Sequence, residues 1–227
     1  MAKISVILPV FNETDSYLRA ALESLCNQTM TDWECILIVE STDYRNIITI
    51  NKYIQADRRF IMYRPPVRLG LSSSLNEGVG LAKTELVARM DSDDIMLPSR
   101  LEKQLAFLEA NPDIDILGSA IRLINEHDQL LNVRSYPKAG IKLRLYFIFR
   151  CGISHPTVVF KKSKFMSVGG YKNGQKYAED LDLWLRMIKS GFQIYNLNEI
   201  LLYYRNGARR PLRHWVEMLK VRVRNIL

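Results

Sequence analysis

Apolar positions in the first half of the chain fall into short runs that alternate with helical stripes. Residues 4–10 (ISVILPV), 35–39 (CILIV), 59–63 (RFIMY), 85–90 (ELVARM) and 115–120 (DILGSA) are too brief for helices, and their apolar residues are not restricted to alternate positions. That pattern predicts strands buried on both faces. Between them, Leu18, Ala21, Leu22 and Leu25 form a helical stripe behind the cap candidates Thr14 and Asp15. Residues 44–56, 71–82 and 101–110 also read as helices, the last stopped by Asn111-Pro112. A βαβαβ rhythm with doubly apolar strands predicts an α/β fold: a mostly parallel central sheet with helices on both faces.

The rhythm changes after Ala120. Residues 121–135 suggest a polar hairpin, 141–150 an amphipathic helix and 155–160 (HPTVVF) a strand. Gly169-Gly170-Tyr171 suggests a turn, 179–189 a helix, and 193–196 and 200–204 two short strands. Neither an internal repeat nor a low-complexity linker interrupts the chain. One domain over 1–208 is expected, with halves at 1–120 and 121–208. The tail 209–227 carries six Lys or Arg against one Glu, and Leu212, Trp215, Val216, Leu219, Val223 and Ile226 share one helical stripe. It reads either as a helix packed on the domain or as a peripheral membrane-surface helix.

Composition narrows the class. Of 227 residues, 48% are apolar and 25% charged, which suits a soluble globular protein. Lys plus Arg exceed Asp plus Glu by 32 − 24 = 8, so an anionic partner is expected. Nucleic acid is not expected, because no aromatic-and-basic motif of an RNA reader is found. The three cysteines show no metal-ligand spacing and fit a reduced, cytoplasmic setting. The start runs straight into a strand, with no signal peptide read, and no stretch reaches the ~18 apolar residues of a membrane span.

Candidate chemistry lies at the strand ends. In open α/β sheets ligands bind beyond the carboxyl ends of the strands. Pro9-Val10-Phe11-Asn12-Glu13 ends the first strand, Glu40-Ser41-Thr42-Asp43 follows the second, and Asp91-Ser92-Asp93-Asp94 follows the fourth. Adjacent carboxylates repel unless something positive sits among them. A turn or helix cap would account for such residues structurally; the functional reading is a divalent cation held by one or two carboxylates beside a substrate phosphate. A second acidic pair, Glu179-Asp180, stands at the expected start of a helix. The dipole there favours anions, and a carboxylate so placed can also act as a general base.

These segments, taken together, resemble family 2 inverting glycosyltransferases of the GT-A fold. The resemblance rests on ISVILPVFNE with LRAALESLCNQTMTDWECILIV, on LGLSSSLNEGVGLAKTELVARMDSDD, and on HPTVVFKKS, VGGY and AEDLDLWLRM, in that order. It covers the chain to about Tyr204. It implies a Rossmann-like nucleotide-binding half joined to an acceptor-side half, a nucleoside-diphosphate sugar donor with a UDP-sugar expected, Mn²⁺ or Mg²⁺, and a glycan or lipid-linked acceptor, as in cell-surface polysaccharide synthesis. By matching motifs, Pro9, Phe11 and Glu13 line the nucleoside pocket. Glu40 falls where the family has a base-contacting aspartate, in a segment that here is shorter and lacks the family's glycine. Asp91 with Ser92 faces the ribose side, Asp93 and Asp94 the diphosphate and metal, and Asp180 is the base with Glu179 beside it.

Arg68 stands in a segment that approaches the donor, His155 either contacts acceptor or caps a turn, and Arg205 is a candidate diphosphate partner. The histidine that often follows is replaced by Asn206-Gly207. The Gln-Xaa-Xaa-Arg-Trp signature of processive members is absent, and Arg213-His214-Trp215 does not supply it, so a non-processive enzyme is expected. Two rival readings remain: a haloacid-dehalogenase-like sugar phosphatase with Asp91 as nucleophile, and a non-catalytic nucleotide-sugar binding module. A dinucleotide oxidoreductase is excluded, because the first turn lacks the glycines it needs.

Overall fold

The structure is a computed structural model and describes residues 1–175, 177–206 and 212–226. The elements begin with β1 (Ile4–Val10), α1 (Asp15–Cys26), β2 (Trp33–Val39), α2 (Tyr44–Ala56), β3 (Phe60–Tyr63), α3 (Leu71–Leu81) and β4 (Leu86–Arg89). Then come β5 (Ile95–Met96), α4 (Arg100–Ala110), β6 (Ile116–Ile124), β7 (Leu130–Arg134) and α5 (Gly140–Phe149). A 3-10 turn at His155–Thr157 leads into β8 (Val159–Lys161), α6 (Lys162–Ser167), α7 (Glu179–Lys189), β9 (Ile194–Arg205) and α8 (Leu212–Ile226).

One sheet runs through both halves of the chain in the order β3-β2-β1-β4-β8-β6-β9-β5, with β7 paired to β6. β1 is parallel to β2 and β4, and β2 to β3. β8 is antiparallel to both β4 and β6, which turns β6 and its parallel neighbour β9 the same way as β1. Six of the nine strands therefore share one direction, and β5, β7 and β8 oppose it.

Side-chain alternation builds a core on each face. Ile4, Val6, Leu8 and Val10 of β1 pack with Leu18, Leu22 and Leu25 of α1 and with Leu101, Leu105 and Leu108 of α4. Ile7 faces the other way, to Leu75 and Val79 of α3, in a cluster that also takes in Phe147, Trp184, Met218 and Val221. Gly78 lets α3 approach β1: a Cβ there would stand 2.4 Å from Ile7 Cγ2.

Most expected elements lie where the sequence puts them. Of the strand expected over 155–160, His155–Thr157 form a 3-10 turn and β8 begins only at Val159, and Ile194–Arg205 form one strand where two were expected. Residues 209–211 and 227 of the tail lie outside the described residues, as does the side chain of Ile226. Within α8, Met218 and Val221 face the same core as α7. Neither belongs to the expected stripe, whose described side chains (Leu212, Trp215, Val216, Leu219 and Val223) are all exposed. No helix of the described residues is long and apolar enough to cross a membrane.

Candidate active site

The parallel strands β1, β2 and β4 deliver their carboxyl ends to one rim, and a cleft of about 380 Å³ opens there. Pro9, Phe11, Glu13, Glu40, Arg68, Asp91, Ser92 and Asp93 all line it, as do Ser74 and Tyr204, which sequence reasoning did not single out. The loops after β1 and β2 are stitched together by Asn12 Oδ1, which accepts the Thr42 N–H and the Ser41 hydroxyl, each at 3.2 Å. Arg68 lays its guanidinium over the Phe11 ring, 4.1 Å from the centroid, which makes one stacked wall.

Glu40 accepts the backbone N–H groups of Leu69 (2.8 Å) and Gly70 (3.1 Å) through Oε2, and the Ser74 hydroxyl through Oε1. Its carboxylate thus fixes the loop that carries Arg68, and Gly70 there takes a φ of +77° that glycine adopts without strain. Glu13 folds back onto the Phe11 N–H at 2.9 Å. Burial raises its pKa, opposed by a hydrogen bond from Ser92.

The acidic loop 91–94 is the most charged part of the rim. The carboxylate oxygens of Asp91, Asp93 and Asp94 lie within 4.8 Å of one another. Two buried arginines stand behind them. Arg89 binds both oxygens of Asp91, one at 2.6 Å, from a side chain 4% exposed. Arg100 donates to the Arg89 carbonyl at 2.9 Å and to Gln104, and burial lowers its pKa to about 9. Burial and the neighbouring Asp91 raise Asp93 to about 6 and hold Asp94 well above the usual carboxylate range. Asp94 Oδ2 is buried and has no hydrogen-bond partner among the described residues. An all-oxygen donor set with an orphaned buried carboxylate oxygen fits a hard divalent cation such as Mg²⁺ or Mn²⁺.

Arg205 differs from expectation. Its Nε donates to the Asp93 carbonyl at 2.9 Å and its Nη1 to the Asn125 carbonyl at 3.0 Å and Asp128 at 2.6 Å, while the guanidinium stacks 3.8 Å over Tyr17. These partners make it a brace for the acidic loop in place of a diphosphate contact, and it does not border the cleft.

A second cavity of about 990 Å³ adjoins the first. Leu71, Asp91 and Tyr204 border both. Asp180 and Glu179, at the N-terminus of α7, lie on the second cavity's wall with Arg89, Cys151 and His155. Asp180 Oδ1 accepts the Leu181 N–H at 2.7 Å, and Cys151 Sγ stands 3.7 Å from Oδ2. Burial and Asp180 together push Glu179 up to about 7. His155 is buried and neutral, its pKa held well below the usual value by desolvation, and its Nε2 meets the Tyr171 hydroxyl at 2.7 Å. That pairing fixes the turn before β8. One turn into α7, the fully buried Asp182 gathers Lys172, Arg186, Arg224 and Asn225, which ties α8 to the helix that carries Asp180. An arginine inside the apolar run before the aspartates was the one visible sign of Arg89; nothing local marks Arg100, Cys151 or Asp182.

Known proteins resemble this chain in sequence and in fold. Residues 5–167 match the family described as Glycosyl transferase family 2. The O-antigen biosynthesis glycosyltransferase WbnJ of Escherichia coli is 38% identical over 206 residues, covering 89% of this chain and 79% of that protein. The Escherichia coli UDP-Gal:alpha-D-GlcNAc-diphosphoundecaprenol beta-1,3-galactosyltransferase is 32% identical over 206 residues, covering 88% and 73%. Among solved structures, S. aureus TarS 1-349 in complex with UDP superposes with a TM-score of 0.77 at 21% identity, covering 99% of this chain and 65% of that one. The chain spans 39% of the longer S. aureus TarS structure, at a TM-score of 0.75. Strand ends, acidic loop and family match agree: the chain belongs to glycosyl transferase family 2 and is a glycosyltransferase of GT-A fold.

Proposed function

We propose that the protein is a metal-dependent, inverting, non-processive glycosyltransferase that moves a sugar from a UDP-sugar to a glycan or lipid-linked acceptor in polysaccharide assembly. One observation carries the reading. The cleft at the parallel strand ends and the cavity that holds Asp180 meet at Asp91, so a donor in the first presents its sugar to an acceptor in the second. The activities of the relatives named above and the UDP bound to the TarS fragment support the donor and acceptor classes.

In this mechanism the Phe11–Arg68 wall takes the base face of the nucleoside. Glu13 and Ser92 sit on the cleft wall between base and diphosphate, and Asp91, held flat by Arg89, faces the ribose. Asp93 and Asp94 would hold the cation, whose positive charge offsets that of the leaving diphosphate. Asp180 takes the proton from the acceptor hydroxyl as its oxygen attacks the anomeric carbon. A single displacement inverts that carbon. Glu179, with its raised pKa, shares the wall with the base. Most of the rate comes from positioning and from charge arranged in advance.

Thermal-shift titration with nucleoside-diphosphate sugars, with and without Mn²⁺, tests the donor class. UDP-sugars should stabilise the protein, and Mn²⁺ should strengthen the effect. Equal shifts from all nucleotides, or none with any, would remove the assignment. Chelation should stop sugar transfer; turnover unaffected by EDTA would remove the cation.

A further inference from the structure

Among the described residues, Leu71, Asp91 and Tyr204 border both the donor cleft and the cavity of Asp180. The mechanism above uses only Asp91. A group passed from the first space to the second crosses where these three side chains stand, so Leu71 and Tyr204 flank its route.

Local structure fixes both on one face of the sheet. Leu71 opens α3 and begins a stripe that Leu75 and Val79 continue at i+4 and i+8. Leu75 and Val79 are each 1% exposed in the core, whereas Leu71 is 42% exposed. Its place is set from the nucleoside side, because Glu40 accepts the Gly70 N–H just before it and the Ser74 hydroxyl after it. Tyr204 lies in the regular end of β9, where Leu202 to Arg205 run opposite Ile121 to Ile124. Successive side chains of a strand point to opposite faces. Arg205 turns to the α1 face, over Tyr17. Tyr204 therefore turns to the other face, whose core is shared by α3 and α7. The N–H that follows Tyr204 in the chain is the one that binds Asp94, at 2.8 Å, so its main chain is anchored beside the acidic loop.

A pyranose carries hydroxyls around its edge and C–H groups on its faces. The junction offers a carboxylate, an aromatic ring with a hydroxyl at its tip, and an apolar side chain that has left the core to stand in the open. An exposed leucine gains nothing against water or a diphosphate, and it has a partner in the C–H face or the substituents of a sugar ring. We infer that Leu71 and Tyr204 are the residues that select the donor's sugar: Leu71 limits the bulk admitted beside Asp91, and the Tyr204 hydroxyl reads the hydroxyl pattern of the ring. The inference rests on the proposed UDP-sugar donor and deepens it from the nucleotide to the sugar.

Calorimetric titration of the full chain in Mn²⁺ tests it, with UDP, UDP-glucose, UDP-galactose, UDP-N-acetylglucosamine and UDP-N-acetylgalactosamine. Each sugar nucleotide's affinity is divided by that of UDP for the same variant, which cancels losses shared through folding or the nucleoside pocket. The parent should separate the four by at least about tenfold, the low end of what one misfitting or unpaired group costs. Leu71→Ala should raise the ratios of the two acetamido sugars over those of the two hexoses by at least about fivefold. Tyr204→Phe, which keeps the ring, should narrow the parent's spread by at least about fivefold. Either variant decides the matter should the other fail to fold, because a purely structural residue would change UDP and UDP-sugar affinities together. Equal ratios for all four sugars in the parent, or ratios that neither variant alters, overturn the inference while UDP binding leaves the donor assignment standing. A parent that does not bind UDP at all sinks the donor assignment and this inference with it.

Discussion

The backbone N–H of Arg205 donates to Asp94 Oδ1 at 2.8 Å, across 111 positions of chain. The same residue's Nε takes the Asp93 carbonyl, so the end of β9 holds two consecutive residues of the acidic loop. Replacing Arg205 by alanine keeps the backbone bond and removes the brace. It leaves the Asp93 and Asn125 carbonyls short of a donor in a site where the arginine is 5% exposed. A loss of about 2–4 kcal/mol in urea unfolding is expected. Lysine should restore less than half of it, because an ammonium cannot span three divergent acceptors as a planar guanidinium does. An alanine variant as stable as the parent would show the brace to be ornamental.

That contact was not visible in the sequence, and the reason is general to this chain. The βαβ units were legible because each strand's burial and each helix's stripe are local patterns. The three strand-end segments followed from the parallel arrangement, and the structure brings them to one cleft. What periodicity could not show was partnership across the chain. β5 has two residues, too few for any pattern, yet it pairs with β9 and positions the loop before it. The sequence reads 193–196 and 200–204 as two strands; in the structure the register slips between them, from Leu197 opposite Ser119 to Ile200 opposite Ala120, and the strand continues. Arg205 was assigned to the diphosphate on the strength of its position at a strand end, whereas its guanidinium has three acceptors in the protein.

Asp180 is tested by the isosteric change to asparagine, which keeps the hydrogen bond from the Leu181 N–H and removes the basic oxygen. Transfer should fall by about 10²–10⁴-fold, the usual contribution of a general base. UDP binding with Mn²⁺ should change less than about twofold, since Asp180 borders the second cavity and not the donor cleft. Transfer in Asp180→Asn at the parent rate would end its assignment as base.

Glu179 makes stability depend on pH in a defined direction. Its carboxyl rises from 4.5 to about 7 in the folded state, chiefly through burial and then through Asp180. Between those values the folded chain holds a proton that the unfolded chain has released. Stability therefore falls as pH rises from 4.5 through 7 and levels off above it. The contribution is up to about 3 kcal/mol. Asp93, raised to about 6, acts in the same direction over a lower window that begins at 3.8. Glu179→Gln should flatten the decline between pH 6 and 7 in chelator and leave the Asp93 part near pH 5. Parallel stability curves for parent and variant would show that Glu179 titrates normally.

The helix α8 has two faces with different work to do, and they can be separated. Its inner face is held by Met218 and Val221 in the core and by Arg224 and Asn225 on Asp182. Its outer face carries Trp215, Val216, Leu219 and Val223 in the open, with the exposed Arg213 and Lys220 around them. Such a face suits the surface of an anionic bilayer, where apolar insertion and cationic attraction add. Sedimentation with phosphatidylglycerol vesicles should capture the full chain, and far less of it with uncharged vesicles. Trp215→Glu with Leu219→Glu should abolish capture at unchanged melting temperature, because neither side chain belongs to the core. Arg224→Gln should do the reverse, lowering the melting temperature by loosening α8 from α7 while vesicle capture of the folded chain persists. Deleting the helix would confuse the two effects, since it strips Asp182 of two partners as well as removing the outer face. Equal capture of the parent and the double glutamate variant would place the membrane contact elsewhere on the molecule.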